Sequence, residues 1–470
     1  VTAQKLPARY LAPSEAAFAL AGATVVQNCY GTGMLDLGAL QGAFNSLVEQ
    51  YPILAGHMRL SVKGFVLRFA RRPDTTIDFA DVGDQDVGEY AAGGGSNLPF
   101  GRVCALRVCR SGQRFRLSLL LHHSIADAAA ALKFCEDLWF LYTARIEVEN
   151  SGPTVITPGR IPESSESLLR ARGYTESSKR KMNLRPAYRG IGWIWTSLWP
   201  RRIERGRIHL SRSETENLRA LVRGRGTTIH GLVTAMLALT ERRITGNPNL
   251  AVAVSSYVNL RSRVVPPIAA AEGTNVLGVA ELILNAHEDC DGMDLARQVV
   301  DDIRDGLDTG RIHKTSLLAF GEIRRVLRLV ALYFPWVLLG GLIPRFTAIQ
   351  VTNWGQIPQF QTPTEVRIDD FRGGVELHGL IRFLAARAVA TVDGHIYFVT
   401  SFNGRLSIDF TKLAIGRNNA QRIEAAFREE FMALVCQKQL LPTKFHRIRR
   451  LRGPSASSIS LDNSLNHHRA

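Results

Sequence analysis

Residues 114–143, RFRLSLLLHHSIADAAAALKFCEDLWFLYT, constrain the fold more than any other stretch. Phe115, Leu117, Leu119, Leu121 and His123 alternate with Arg116, Ser118, Leu120 and His122, the two-residue repeat of a strand. The spacing then changes. Leu132, Cys135, Leu138, Trp139 and Tyr142 recur every three or four residues, the stripe of an amphipathic helix. The joint between the two is His122-His123-Ser124-Ile125-Ala126-Asp127. Neighbours on a strand face opposite sides, so only one histidine can share the protected apolar face. Alternation assigns that place to His123 and turns His122 away.

A chain of 470 residues exceeds one ordinary core, and two domains of roughly 150 to 250 residues each are expected. The net charge of +16 favours an anionic partner: nucleic acid, an anionic membrane, a phosphate-rich cofactor or an acidic carrier protein. Nucleic acid rests on charge alone, because zinc-finger spacing and the aromatic-glycine pattern of an RNA-binding sheet are absent. The six cysteines include no CxxC pair, which reads as free thiols in a reducing compartment. No secretory leader is legible, so a cytoplasmic location is expected. The longest apolar run, residues 329–343, is short for a membrane span. Pro335, Gly340 and Gly341 interrupt it, so it reads as buried or interfacial.

Along the chain, residues 13–30 read as a short helix and a strand, and residues 36–50 as a helix capped by Asp36. Residues 74–98 read as loop, and residues 145–190 as linker rich in proline, serine and charge. Residues 179–207 pack nine Lys/Arg and one acid around Tyr188, Trp193, Trp195 and Trp199. That suits a membrane interface or acyl-chain portal, and equally a crossover segment covering core. A second series follows: the strand RIHLS, a helix capped by Ser213, a buried helix over 227–243 and strands over 251–260 and GVAELILNA. A helix over 293–307, AIQVTNWG, two closing strands and a last helix over 418–436 complete it. Both series mix strands and helices, giving an α/β (α+β) chain of two related halves. The expected division is residues 1–175, a linker at 176–206, a second half at 207–441 and a disordered tail at 442–470.

A histidine titrating near neutrality in a cleft can take a proton from a hydroxyl. A serine elbow, an HExxH motif, a P-loop and GxGxxG are all absent. What remains is a histidine acting directly on substrate, without a covalent enzyme intermediate, metal or prosthetic group. The rival reading of His123 is a core histidine with a satisfied ring. That of Asp127 is a helix N-cap.

HHSIAD resembles the HHxxxD signature of the condensation-domain and acyltransferase superfamily. SEAAFAL, LVEQYPILAGHMR, RIHLSRSETENL, VNLRSRVVPP and EGTNVLG extend the resemblance to polyketide-associated acyltransferases of the phthiocerol/phthiodiolone dimycocerosyl transferase type. The resemblance implies two chloramphenicol-acetyltransferase-like halves with a tunnel at their interface. It implies that His123 is the general base and that Asp127 is structural, paired with an arginine. Position in the helix after TNVLG points to Arg304 for that arginine, against a solvated Arg304 paired with Asp301 or Asp305. VTNWG is similar to a segment that other members place near the tunnel, making Asn353 and Gly355 candidates for the oxyanion; the bland alternative is a strand-ending turn. The chain departs from the pattern at Ala128, where the family has glycine.

The resulting expectation is an O-acyltransferase moving a long-chain acyl group from coenzyme A or a carrier protein to a lipid-like alcohol. It would act as a monomer, peripheral to the inner face of the membrane, without nucleic acid. The rivals are an amide-forming condensation domain and a catalytically silent module that binds acyl groups or a carrier.

Overall fold

The computed structural model describes residues 8–69, 73–83, 87, 98–147, 159–175, 192–195, 202–315, 317, 342–377, 392–414 and 419–440. Most of the tryptophan–arginine segment, residues 329–341 of the apolar run and the tail after 442 lie outside these residues.

The first half opens with β1 (Ala8–Tyr10) and α1 (Pro13–Ala21), whose Glu15 reaches back to accept the Ala12 N–H at 2.8 Å. β2 (Ala23–Thr32) leads to α2 (Leu37–Gln50), capped as expected by Asp36, which accepts the Ala39 N–H at 2.8 Å. β3 (Gly56–Ser61) and β4 (Gly64–Phe69) form a hairpin with β1 on its edge. β5 (Asp78–Asp81) falls inside the stretch read as loop. β6 (Cys104–Ser111), β7 (Arg114–His122) and α3 (Ala128–Glu147) supply the strand, turn and helix that the sequence predicts. α4 (Ser165–Arg170) gives structure to part of the presumed linker.

Alternation along β7 has the consequence expected of it. Phe115, Leu117, Leu119 and Leu121 enter one core with Cys135, Leu138, Trp139 and Tyr142 of α3. Leu120, on the opposite face, packs with Val26 and Ala105.

The second half runs β8 (Gly192–Trp195), β9 (Arg202–His209), α5 (Arg212–Val222), α6 (Ile229–Thr245), β10 (Asn249–Asn259), β11 (Leu277–His287) and α7 (Gly292–Asp308). β12 (Leu342–Gln356), β13 (Arg367–Leu377), β14 (Val392–Phe402), β15 (Arg405–Ala414) and α8 (Asn419–Leu440) follow. The cap of α5 is Ser211, not Ser213. Ser211 Oγ accepts the Glu214 N–H, and Glu214 returns to the Ser211 N–H at 2.7 Å, a reciprocal capping box; Ser213, with Glu216 at the same spacing, falls inside the first turn.

The second-half sheet has the order β11-β10-β12-β14-β15-β9, with β8 on β12. β13 does not join it. It pairs antiparallel with β2, from Arg367 opposite Thr32 to Leu377 opposite Ala23, and completes the first-half sheet β13-β2-β7-β6-β5. Residues 207–441 therefore do not form a closed unit. Trp354, Ile357, Phe360 and Phe371 lie in the first-half core. A Cβ on Gly373 would stand 2.6 Å from the Trp354 ring, so glycine there lets β13 press against the indole. RIDDFRGGVEL hid this strand from sequence reading, because its charges and paired glycines obscure the alternation.

Candidate active site

β7 ends with His122 opposite Thr24 of β2. His123 is the next residue. Its N–H still donates to the Ala23 carbonyl at 2.8 Å, and the residue is 8% exposed. The ring lies flat on Phe18 of α1, with centroids 3.9 Å apart and planes within 8°. Nδ1 is 3.0 Å from Asn275 Oδ1, while Asn275 Nδ2 donates to the His123 carbonyl at 2.6 Å. The second bond fixes the first. With the amide nitrogen committed to the carbonyl, the amide oxygen faces the ring, so Nδ1 carries the hydrogen and Nε2 keeps its lone pair. Burial lowers the His123 pKa below the usual 6.5, against the opposing pull of Asp127 and Asn275. The ring is neutral at pH 7, and Nε2 is the atom able to take a proton. His122 is half-buried, and its Nδ1 accepts the Ser124 N–H at 3.2 Å.

Asp127 fills both roles considered for it. Oδ1 accepts the Ala130 N–H at 3.0 Å as a helix cap, and Oδ2 accepts the Val276 N–H at 2.9 Å. Oδ2 also forms an ion pair with Arg261, and both side chains are buried. Arg261 donates further to the Gly273 carbonyl at 2.8 Å and the Ala270 carbonyl at 3.2 Å. The arginine of Asp127 is thus Arg261. Arg304 is exposed on α7 and pairs with Asp301 at 3.3 Å. The reason is helical phase: α7 buries Met293, Leu295, Ala296 and Val299, and Arg304 falls on the other side. Ala128 simply begins α3. Among the described residues the non-glycine with positive φ is Asn403, so no glycine is needed at 128.

Asn353 is exposed, and its Oδ1 accepts the Gly355 N–H at 2.8 Å. Gly355 has φ of 76°, and the β12–β14 ladder shifts register between Asn353 and Gly355. The pair shapes a β-bulge that turns Trp354 inward.

A buried polar network holds α1 against this turn. Glu15 pairs with Arg9 at 2.9 Å and accepts from Thr274 Oγ1 at 2.7 Å, and Ser14 donates through N–H and Oγ to Glu166 at 2.7 and 2.8 Å. The network thereby anchors the helix that carries Phe18, against the ring face, and the Thr274 that precedes Asn275, at the ring edge. Phe18, Arg261 and Asn275 lie in SEAAFAL, VNLRSRVVPP and EGTNVLG, and the sequence alone assigns them no role. The legible signals were an arginine closing an apolar strand at 261 and a polar Thr-Asn pair opening one at 274–275.

Comparison with known proteins agrees with this architecture. Residues 200–411 match the family model of the phthiocerol/phthiodiolone dimycocerosyl transferase C-terminus. The phthiocerol/phthiodiolone dimycocerosyl transferase of Mycobacterium leprae is 28% identical over 382 residues, covering 78% of this chain and 85% of that one. Polyketide synthase associated protein 5 from Mycobacterium tuberculosis superposes with a TM-score of 0.69 at 22% identity, covering 94% of this chain and 99% of that one. The trichothecene 15-O-acetyltransferase of Fusarium sporotrichioides superposes at 0.67 and 11% identity, covering 91% and 95%. These two likenesses establish the fold. The chain is a distant relative of the phthiocerol/phthiodiolone dimycocerosyl transferases, and its second half resembles their C-terminal family.

Proposed function

We propose that the protein is an O-acyltransferase that moves an acyl group from a coenzyme A or carrier-protein thioester to an alcohol, with His123 as general base. The observation that carries this reading is the tautomer imposed by Asn275, which leaves Nε2 of a buried, neutral imidazole as proton acceptor. Nε2 takes the hydroxyl proton as the alcohol oxygen attacks the thioester carbonyl. The tetrahedral intermediate collapses with cleavage of the C–S bond, and the departing thiolate receives the proton from Nε2. The product is an ester and a free thiol. Asp127 and Arg261 act as positioning residues, since they hold the turn and the 273–276 segment without reaching the reacting atoms.

The Mycobacterium leprae relative is a dimycocerosyl transferase by name, which favours this reading over a silent binding module. A lipid-like acceptor and a peripheral membrane habit rest on the tryptophan–arginine segment and the apolar run. Flotation with anionic liposomes tests that part, and a protein left in the unbound fraction refutes it.

The test of the reaction is thiol release from a long-chain acyl-CoA, and from a carrier-bound donor, in the presence of a long-chain alcohol. Turnover in wild type that disappears in His123→Ala is the expected result. Equal turnover in both proteins removes His123 as base.

A further inference from the structure

The β3–β4 hairpin carries apolar side chains into solvent at its tip. Leu60 is 74% exposed, and Val62 at the turn is fully exposed. Phe100, also fully exposed, is held beside them. His57 and Arg102 form an antiparallel bridge, and the Met58 N–H donates to the Gly101 carbonyl at 2.7 Å. The chain therefore next brings Phe100 toward Arg59 and the tip. Leu60 lies two residues beyond Met58, roughly 7 Å along the strand. Exposed apolar residues scattered singly are ordinary, but these three gather at one end of a small sheet.

The charges around this tip have one sign. Residues 56–69 contain His57, Arg59, Lys63 and Arg68 and no acid. Arg59, Lys63 and Arg68 are exposed and have no carboxylate partner among the described residues. The nearby acids are committed, Glu15 to Arg9 at 2.9 Å and Asp74 to Arg102 at 3.1 Å. β1 runs toward the same tip: Ala8 stands opposite Arg68, Tyr10 opposite Val66, and the Leu11 N–H donates to the Phe65 carbonyl at 3.0 Å. α1 therefore starts at the tip, and its one charged side chain is the buried Glu15. Tyr10 before it and Leu20 near its end are exposed, and its Phe18 covers the ring of His123.

We propose that this end of the first half is a membrane-docking surface: Leu60, Val62 and Phe100 enter the interface of an anionic bilayer while Arg59, Lys63 and Arg68 meet its phosphates. The proposal rests on the membrane reading above and deepens it, with residues other than the tryptophan–arginine segment and the apolar run. Chemistry selects a bilayer over a protein partner. Long cationic side chains stay level with the head groups while an apolar tip between them reaches the acyl chains. A stable protein interface buries about 800 Å² on each partner and is depleted of charge at its centre, which three side chains among three cations do not supply. The consequence for the site is positional. A bilayer bound at the tip lies at the start of α1, the helix on which the His123 ring rests, so an acceptor dissolved in the bilayer reaches the chain on the side of α1.

The test is cosedimentation of the full chain with vesicles of equal parts phosphatidylglycerol and phosphatidylcholine. Leu60→Ser/Val62→Ser/Phe100→Ser should partition at least about tenfold more weakly than wild type, and Arg59→Gln/Lys63→Gln/Arg68→Gln about a hundredfold more weakly. Arg223→Gln/Arg297→Gln/Arg304→Gln removes three exposed arginines of the second half and should bind like wild type. All the substituted side chains are exposed, so the variants should keep the wild-type melting temperature. Val62→Trp adds a reporter at the tip, whose emission should shift to the blue with vesicles and be quenched by brominated acyl chains. If wild type binds and both tip variants bind equally well, the assignment is overturned and the membrane reading passes to other residues. If wild type stays in the supernatant, both are overturned. A changed oligomeric state in the tip variants, with vesicle binding unaltered, overturns the assignment in favour of a contact between copies.

Discussion

Removing Arg261 should damage this protein far more than its distance from the reacting atoms suggests. Arg261→Met deletes the ion pair with Asp127 and the bonds to the Gly273 and Ala270 carbonyls. Asp127 then remains fully buried, with the Ala130 and Val276 N–H groups as its remaining donors. Stranding one charge of a buried pair costs about 3–5 kcal/mol. Methionine roughly fills the vacated volume, so a cavity adds little. Asp127→Asn strands Arg261 and should cost a similar amount. The double variant strands neither charge, so its cost should fall short of the sum by about 2–3 kcal/mol. Arg304→Ala, at an exposed pair, should stay within about 0.5 kcal/mol. Urea unfolding followed by tryptophan fluorescence measures all four variants against wild type. Strict additivity of the two single changes, or an Arg261→Met cost no larger than that of Arg304→Ala, would refute the reasoning.

Other expectations concern His123 and the strand exchange. Asn275→Ala should lower kcat about a hundredfold with KM little changed, because it frees the tautomer and ring angle without touching substrate; an unchanged kcat would dismiss the positioning role. The His123 pKa is lowered by burial, and catalysis needs the neutral form, so kcat/KM should fall on the acid side with a midpoint below 6.5. An acid limb with its midpoint above 6.5 would contradict this. Gly373→Ala places a Cβ 2.6 Å from the Trp354 ring and should destabilise the fold by about 1–3 kcal/mol, read from the same urea curves. A neutral effect would show that β13 can draw back from the indole.

Much of the local structure was legible in advance because it depends on neighbours in the chain. The alternation of β7 and the stripe of α3 are periodic signals, and Asp36 caps α2 through a bond to a residue three positions away. The cap of α5 went to Ser213 because two serines stand close together. Each has a glutamate three residues on, Glu214 or Glu216, so spacing does not separate them, and the folded chain selects Ser211. His123 was identified from the doublet and from the resemblance, since strand parity already assigned it the inner face.

The sequence by itself determined the strand, turn and helix that carry His123, and the inward direction of its ring, because each follows from spacing along a few residues. Tertiary structure alone decided the partner of Asp127, the bond that sets the His123 tautomer and the sheet to which residues 367–377 belong. Arg261 lies 134 positions from Asp127, and Asn275 lies 152 from His123. A periodic pattern says which face a residue occupies on its own element. It cannot say which of several arginines or amides the folded chain brings to that face.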